Sequence, residues 1–155
     1  MANKDQSFDI RSKDNTSEEY FESYCKHRKY KIIRYGLDQR ESNITGREMI
    51  TIPRMIRNTP DYILINEKRS YFVEVKGCNK YLGLKLKDIE SYKKWNKIMP
   101  LCYFFYSLHH NQHKVVEHKN LMDLTTISEI RQYPDHNEYD DKLYYSIHWS
   151  TIYER

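Results

Sequence analysis

One stretch of this 155-residue chain carries charges where β-structure would bury them, Tyr71-Phe72-Val73-Glu74-Val75-Lys76. Side chains alternate between the two faces of a sheet along a strand. Tyr71, Val73 and Val75 therefore share one face, and Phe72, Glu74 and Lys76 the other. A glutamate and a lysine on an otherwise apolar face are costly to bury unless they pair or bind a metal. Just upstream, Pro60-Asp61 leads into Tyr62-Ile63-Leu64-Ile65-Asn66, and the turn residues that follow make the two runs a hairpin. Such pairing brings the Asp61 carboxylate beside that of Glu74. Two converging carboxylates repel, and a shared hard cation is the usual relief. The expected site is a Mg²⁺-type centre on Asp61 and Glu74 with the Lys76 ammonium beside it. That set suits phosphodiester hydrolysis. The cation neutralises a non-bridging oxygen and lowers the pKa of a bound water, while Lys76 orients the water or balances transition-state charge.

These groups need elements to hold them. Residues 1–15 are polar and aperiodic and read as a flexible N-terminal arm, leaving 16–155 as a single domain. Thr16 with Glu19 fits a capping box, and Phe21, Tyr24 and Cys25 follow helical spacing, so a helix is expected from Thr16. Residues 30–35 (YKIIRY) read as a strand stopped by Gly36, 37–48 as loop, and 49–52 (MITI) as a short strand ended by Pro53. After the hairpin, Leu86, Ile89, Tyr92 and Trp95 recur every third residue within an amphipathic helix over 82–99, which Pro100 stops. Residues 101–108 (LCYFFYSL) have the continuous apolar character of a sheet's centre. A loop (HHNQH), a short strand (KVVEH), a helix over 120–133 carrying Leu121, Leu124, Ile127 and Ile130, and a last strand over 142–149 complete the chain. The order describes an α/β or α+β domain with a mixed central sheet flanked by helices.

A Glu-x-Lys pair alone is common, and its bland meaning is a surface ion pair on an edge strand. The whole pattern is more specific. Pro60-Asp61, twelve residues, then Glu74-Val75-Lys76, on adjoining β runs, resembles the PD-(D/E)xK nuclease superfamily. The stretch TPDYILIN…YFVEVKG is similar to phage-type branched-DNA (Holliday junction) resolvases. The resemblance implies a restriction-endonuclease-like core that cleaves DNA with Mg²⁺, for which Mn²⁺ can substitute. It implies a metal set of Asp61, Glu74 and Val75, and a homodimer, since two strands must be cut. It also implies an acidic residue on the first helix facing the metal. Glu18, Glu19 and Glu22 are the candidates. Glu19 is where a capping box would use it, whereas Glu18 lies on the face turned to the sheet, with Glu22 one turn later. Glu18 is the choice and Glu22 the next. The family's Gln-x-x-x-Tyr pattern on the following helix is represented by Asp88 and Tyr92; the glutamine is absent, which leaves phosphate contact to lysines such as Lys85 and Lys87.

The net charge is +4, and its distribution says more than its size. Arg40, Arg47, Arg54 and Arg57 crowd one segment, and Lys80, Lys85 and Lys87 begin another, on either side of the candidate catalytic residues. Such clusters suit backbone phosphates, which give affinity without sequence readout. Three cysteines (Cys25, Cys78, Cys102), far apart and without Cys-x-x-Cys spacing, argue against a disulfide framework or structural zinc. His109, His110, His113 and His118 match no zinc spacing and read as a solvated loop. No run approaches a membrane span and the N-terminus has no apolar targeting core, so a cytoplasmic protein without a membrane or small-molecule cofactor is expected. Two classes of function stand. The first is a Mg²⁺-dependent endonuclease on duplex or branched DNA, structure-selective because no extra recognition domain is present, with a restriction or repair nuclease as its variant. The second is a non-catalytic nucleic-acid-binding protein that retains the fold.

Overall fold

In chain order, the computed structural model opens on helix α1 (Asp5–Arg28) and strand β1 (Lys31–Arg34). It describes residues 5–37, 45–132 and 143–154, of which 5–15 and Gly46 by backbone only. The helix begins at Asp5, not at Thr16: no glycine or proline interrupts 5–28, so nothing stops it upstream of the expected cap. Lys29, at φ 59°, ends it in the left-handed region. Helix α2 (Gly46–Thr51) covers most of the segment expected as a strand. A capping box explains it: Glu48 N–H donates to Thr45 Oγ1 (3.3 Å), and Thr45 N–H donates to Glu48 Oε2 (2.8 Å). A single turn, α3 (Arg54–Arg57), follows Pro53.

The hairpin is observed as strands β2 (Tyr62–Ile65) and β3 (Ser70–Cys78), antiparallel, with Tyr62 opposite Val73. Asn66 makes the reversal, its Oδ1 accepting from the N–H groups of Lys68 (3.0 Å) and Arg69 (2.9 Å). Next come strand β4 (Tyr81–Lys85) and helix α4 (Leu86–Ile98). The helix thus starts later than expected. Leu82 and Leu84 are buried while Tyr81, Gly83 and Lys85 are exposed, a period of two that belongs to a strand. Strands β5 (Leu101–Ser107) and β6 (Gln112–Glu117), helix α5 (His118–Thr126), strands β7 (Glu129–Gln132) and β8 (Leu143–His148) and helix α6 (Trp149–Tyr153) complete the described chain. Helix α5 is shorter than expected. Ile127 and Ile130 are exposed, and the β-branched Thr125-Thr126-Ile127 run favours leaving the helix.

The strands form two sheets, where one was expected. A mixed five-stranded sheet has the order β1-β2-β3-β5-β6, with β3 and β5 parallel; a separate antiparallel sheet has the order β4-β8-β7. Together they make an α+β architecture whose central mixed sheet is flanked by helices. Strand β5 is buried on both faces, as its composition demands. Its Phe104 and Tyr106 join Phe21 and Cys25 of α1 with Val73 and Val75. Its Leu101, Tyr103 and Phe105 join Phe72, Ile89, Tyr92 and Trp95, under a lid formed by Leu82, Leu84, Leu121, Ile147 and Trp149. Each large apolar side chain buried this way contributes about 1.5–3 kcal/mol. Burial pushes the Cys78 and Cys102 thiols up to about 11, keeping them protonated. Among the described residues no helix is long and apolar enough to cross a membrane.

Candidate active site

Strand β3 lies at the middle of the five-stranded sheet, and its alternation is the one expected. Val73 and Val75 face α1, while Phe72 faces α4. Glu74 shares the Phe72 face. Its side chain is only 7% exposed, and Lys76 Nζ lies 3.0 Å from its Oε1. The Tyr92 hydroxyl, from the buried side of α4, donates to the same oxygen. A buried carboxylate is thus held by one cation and one neutral donor on a single oxygen.

Asp61 sits where β2 begins. Pro60 before it has no N–H and ends the ladder, so Val75 N–H lies beyond the last β2 rung. The Asp61 side chain takes that N–H, Oδ2 accepting it at 2.8 Å. Its carbonyl accepts from Tyr35 N–H (2.8 Å) and Gly36 N–H (3.1 Å) at the end of β1. Asp61 is thereby pinned from two strands. A Cβ on Gly36 would meet Asp61 Cα at 3.1 Å, a contact tight enough that the Asp61 backbone would have to give by a few tenths of an ångström.

The charges interact as their proximity requires. Burial, reinforced by the Glu74 charge, pushes the Asp61 carboxyl well above its ordinary range, against the opposing pull of Lys76. Burial pulls the Lys76 ammonium down, but the charges of Glu74, Asp88 and Asp61 outweigh it and raise its pKa. Lys76 is therefore firmly protonated at neutral pH. Asp88 stands one helical turn before Tyr92, and Asn58, just past α3, donates to its Oδ1 (3.3 Å) and to Ser91 Oγ (3.2 Å). The position where the resemblance placed a missing glutamine therefore carries a carboxylate that acts on Lys76.

On α1, the three candidate glutamates separate by environment. Glu22 is committed to structure. It accepts from Tyr62 Oη (2.8 Å) and from Arg34 Nε (2.9 Å) and Nη2 (2.7 Å). Glu19 is exposed. Glu18 lies 4.0 Å from Arg34 Nη1, and its charge adds to the upward push on Asp61. The basic candidates are spread more widely. Arg47, Arg54, Arg57, Lys80 and Lys85 are exposed and Lys87 half-buried; Arg54 and Lys87 line a common cleft of about 330 Å³ with Lys93 and Glu90. Arg40 lies outside the described residues. The histidines depart from a uniform solvated loop. His109 and His110 are exposed, but His113 stacks on Phe104 (centroids 5.0 Å), and His118 is buried with its Nδ1 2.8 Å from Tyr103 Oη. Their partners are aromatic, and burial lowers the pKa of both.

Two kinds of residue escaped the reading of the sequence. Tyr92 and Trp95 were legible as core, but the Tyr92 hydroxyl on Glu74 was not. Gly36 read as a strand stop, whereas its contact is with Asp61 across β1 and β2. For a cation, the donors on offer are oxygen. Among the described residues, hydrogen bonds take one oxygen of each carboxylate, Oδ2 of Asp61 and Oε1 of Glu74, and no three Asp, Glu, His or Cys side chains converge. Asp61 Oδ1 and Glu74 Oε2 are the carboxylate oxygens these bonds leave over, hard donors of the kind Mg²⁺ or Mn²⁺ takes.

No family model matches the chain, and no curated protein matches it in sequence. In fold it is similar to Hjc of Archaeoglobus fulgidus, a Holliday junction resolvase from an archaeal hyperthermophile, with a TM-score of 0.54 over 92% of this chain and 88% of that one, at 11% identity.

Proposed function

We propose that the protein is a divalent-metal-dependent DNA endonuclease of the PD-(D/E)xK type, acting on branched DNA as a homodimer. The observation that carries this reading is the convergence on one face of β3 of a pinned Asp61, a buried Glu74 and a charged Lys76. The fold likeness to a junction resolvase supports the choice of branched substrate.

In this reading Asp61, Glu74 and the Val75 carbonyl would hold the cation, with Glu18 the α1 glutamate whose charge reaches Asp61. The bound ion supplies Lewis acidity toward phosphate and water. The raised pKa of Lys76 excludes it as a general base at neutral pH and leaves it as a fixed donor. Its ammonium steadies the attacking water or the charge gathering on the phosphate. Tyr92 keeps Glu74 from rotating away, and Gly36 with Tyr35 keeps Asp61 in place. Arg47, Arg54, Arg57, Lys80, Lys85 and Lys87, with Arg40, hold the backbone phosphates of the duplex arms.

The test is a cleavage panel of four-way junction, flap and linear duplex with Mg²⁺ or Mn²⁺. The junction should be cut, and Asp61→Ala and Glu74→Ala should each abolish cutting while DNA binding persists. A binding-only protein is the second reading, favoured by the two donors already on Glu74 Oε1. Tight binding with no cleavage of any substrate by wild type in either metal would establish it and overturn the first.

A further inference from the structure

The small sheet β4-β8-β7 has an outer face of which the proposed function uses only Lys85. Leu82, Leu84 and Ile147 point inward to the core, so their neighbours must point out. The register gives three cross-strand rows on the outer face: Tyr81 with His148; Gly83 with Ser146 and Glu129; and Lys85 with Tyr144 and Arg131. The middle row is low, holding a glycine and a serine in its first two places. Over it the ends meet, with the Arg131 guanidinium 5.7 Å from the centroid of the Tyr81 ring. Tyr81 is 53% exposed and packs edge-on against His148, centroids 4.9 Å apart. His148 is itself fixed, its Nδ1 accepting the Ser150 N–H as cap of α6. The face is therefore a set of rings beside a low middle row, edged by cations.

Its chemistry selects among occupants. None of the eight outer positions in these rows is aliphatic; they carry rings with polar tips, and the Arg131 guanidinium lies over one of them. The charges are Lys85 and Arg131 against Glu129, which is paired to Arg131 at 2.8 Å, and exposed Lys80 directly precedes Tyr81. A polyanion with π-faces matches both features: bases stack on aromatic rings while cations track the backbone. A paired duplex hides its base faces, so the fit is to unpaired nucleotides. Lys85 is also the N-cap residue of α4, the helix that carries Asp88 and Tyr92.

We infer that this outer face binds single-stranded DNA by stacking unpaired bases on Tyr81, with Arg131 and Lys85 holding the phosphates. The choice of DNA rests on the nuclease reading, whose branched substrate carries unpaired nucleotides at the branch point. Stacking itself does not depend on catalysis.

Binding of a fluorescent oligothymidine of about 12 nucleotides would be followed by anisotropy in EDTA, where no cleavage occurs. Tyr81→Ala should weaken it by about tenfold or more, while Tyr81→Phe, which keeps the ring, binds like wild type. Affinity for blunt duplex should be unchanged by either. Tyr81 is half exposed, and unchanged circular dichroism and melting temperature establish that Tyr81→Ala is folded. Equal binding by Tyr81→Ala and wild type overturns the inference, as does a parallel loss on duplex, which would make the face a plain electrostatic surface. So does a loss in Tyr81→Phe equal to that in Tyr81→Ala. Tighter binding of an oligouridine of the same length overturns the choice of DNA. If Tyr81→Ala turns a dimer into a monomer in sedimentation while oligothymidine binding stays intact, the occupant is a second copy of the chain. A protein that binds through this face yet cuts no substrate would keep the inference and lose the nuclease reading.

Discussion

Replacing Lys76 by methionine preserves the length of the side chain and removes its charge, which separates folding from chemistry at the site. In the metal-free protein Glu74, 7% exposed, loses a partner at 3.0 Å and retains Tyr92. Removing one member of a buried ion pair costs about 3–5 kcal/mol. Lys76 is 24% exposed, and Tyr92 still donates, so the low end, about 3 kcal/mol, applies. In a chain of this size each kcal/mol shifts Tm by about 2–4 °C, so a fall of about 6–12 °C is expected. Adding Mg²⁺ should recover much of that loss, because the ion supplies the missing counter-charge. The rate should not recover. Single-turnover cleavage should fall by at least about a hundredfold, roughly 2.7 kcal/mol of barrier. Lys76→Arg keeps the charge but presents a broad planar group where a compact donor is needed, so it should hold Tm and lose rate. Differential scanning fluorimetry with and without Mg²⁺, alongside rapid-quench cleavage of a junction, reads both quantities. A Lys76→Met protein that cuts at the wild-type rate, or a Lys76→Arg protein that is folded and fully active, would make Lys76 a structural counter-ion and send the search elsewhere.

Asp61→Asn tests the buried acid. Because the folded carboxyl is raised above its unfolded value, its contribution to stability is complete at low pH and lost as pH rises through the folded pKa. The neutral amide should therefore raise Tm at neutral pH, match wild type in acid, and abolish both cleavage and stabilisation by Mg²⁺; a lower Tm at neutral pH would contradict the assigned burial. Tyr92→Phe removes a donor to a buried carboxylate, and should cost about 1.5–3 kcal/mol in denaturant melts and raise the Mg²⁺ concentration needed for half-maximal rate. Unchanged metal dependence would show that Tyr92 does not position Glu74. Gly36→Ala forces a methyl to 3.1 Å from Asp61 Cα, expected to cost about 1–3 kcal/mol by overpacking and to slow cleavage further by displacing that residue; a stable, fully active variant would disprove the close fit. Arg54→Glu should weaken DNA binding for all sequences alike and lower the log–log salt slope by about one unit. A slope equal to wild type would leave Arg54 a solvated side chain.

Local physics made much of this protein legible in its residues. Strand alternation around Glu74 and Lys76 follows from a period of two that tertiary packing does not alter, so their shared face could be read directly. The apolar run of β5 and the threefold spacing of Ile89, Tyr92 and Trp95 were likewise legible, because each reports how much of an element must leave water. What failed locally failed for local reasons. The capping box at Thr45 outweighed the β-rich look of residues 49–52, and Leu82 and Leu84, inside the bounds expected for a helix, belong to a strand. Other features existed only in three dimensions. Nothing in the order of strands said that β4, β7 and β8 would leave the central sheet, since that depends on which apolar faces find each other. The Tyr92 hydroxyl reaches Glu74 because α4 crosses that face of β3, and Gly36 matters to Asp61 because β1 ends beside it. Glu18 and Glu22 look alike along α1, yet Arg34 and Tyr62 commit Glu22 to structure. Spacing along a chain determines which side chains share a face; only the packing of one element on another determines which charges meet.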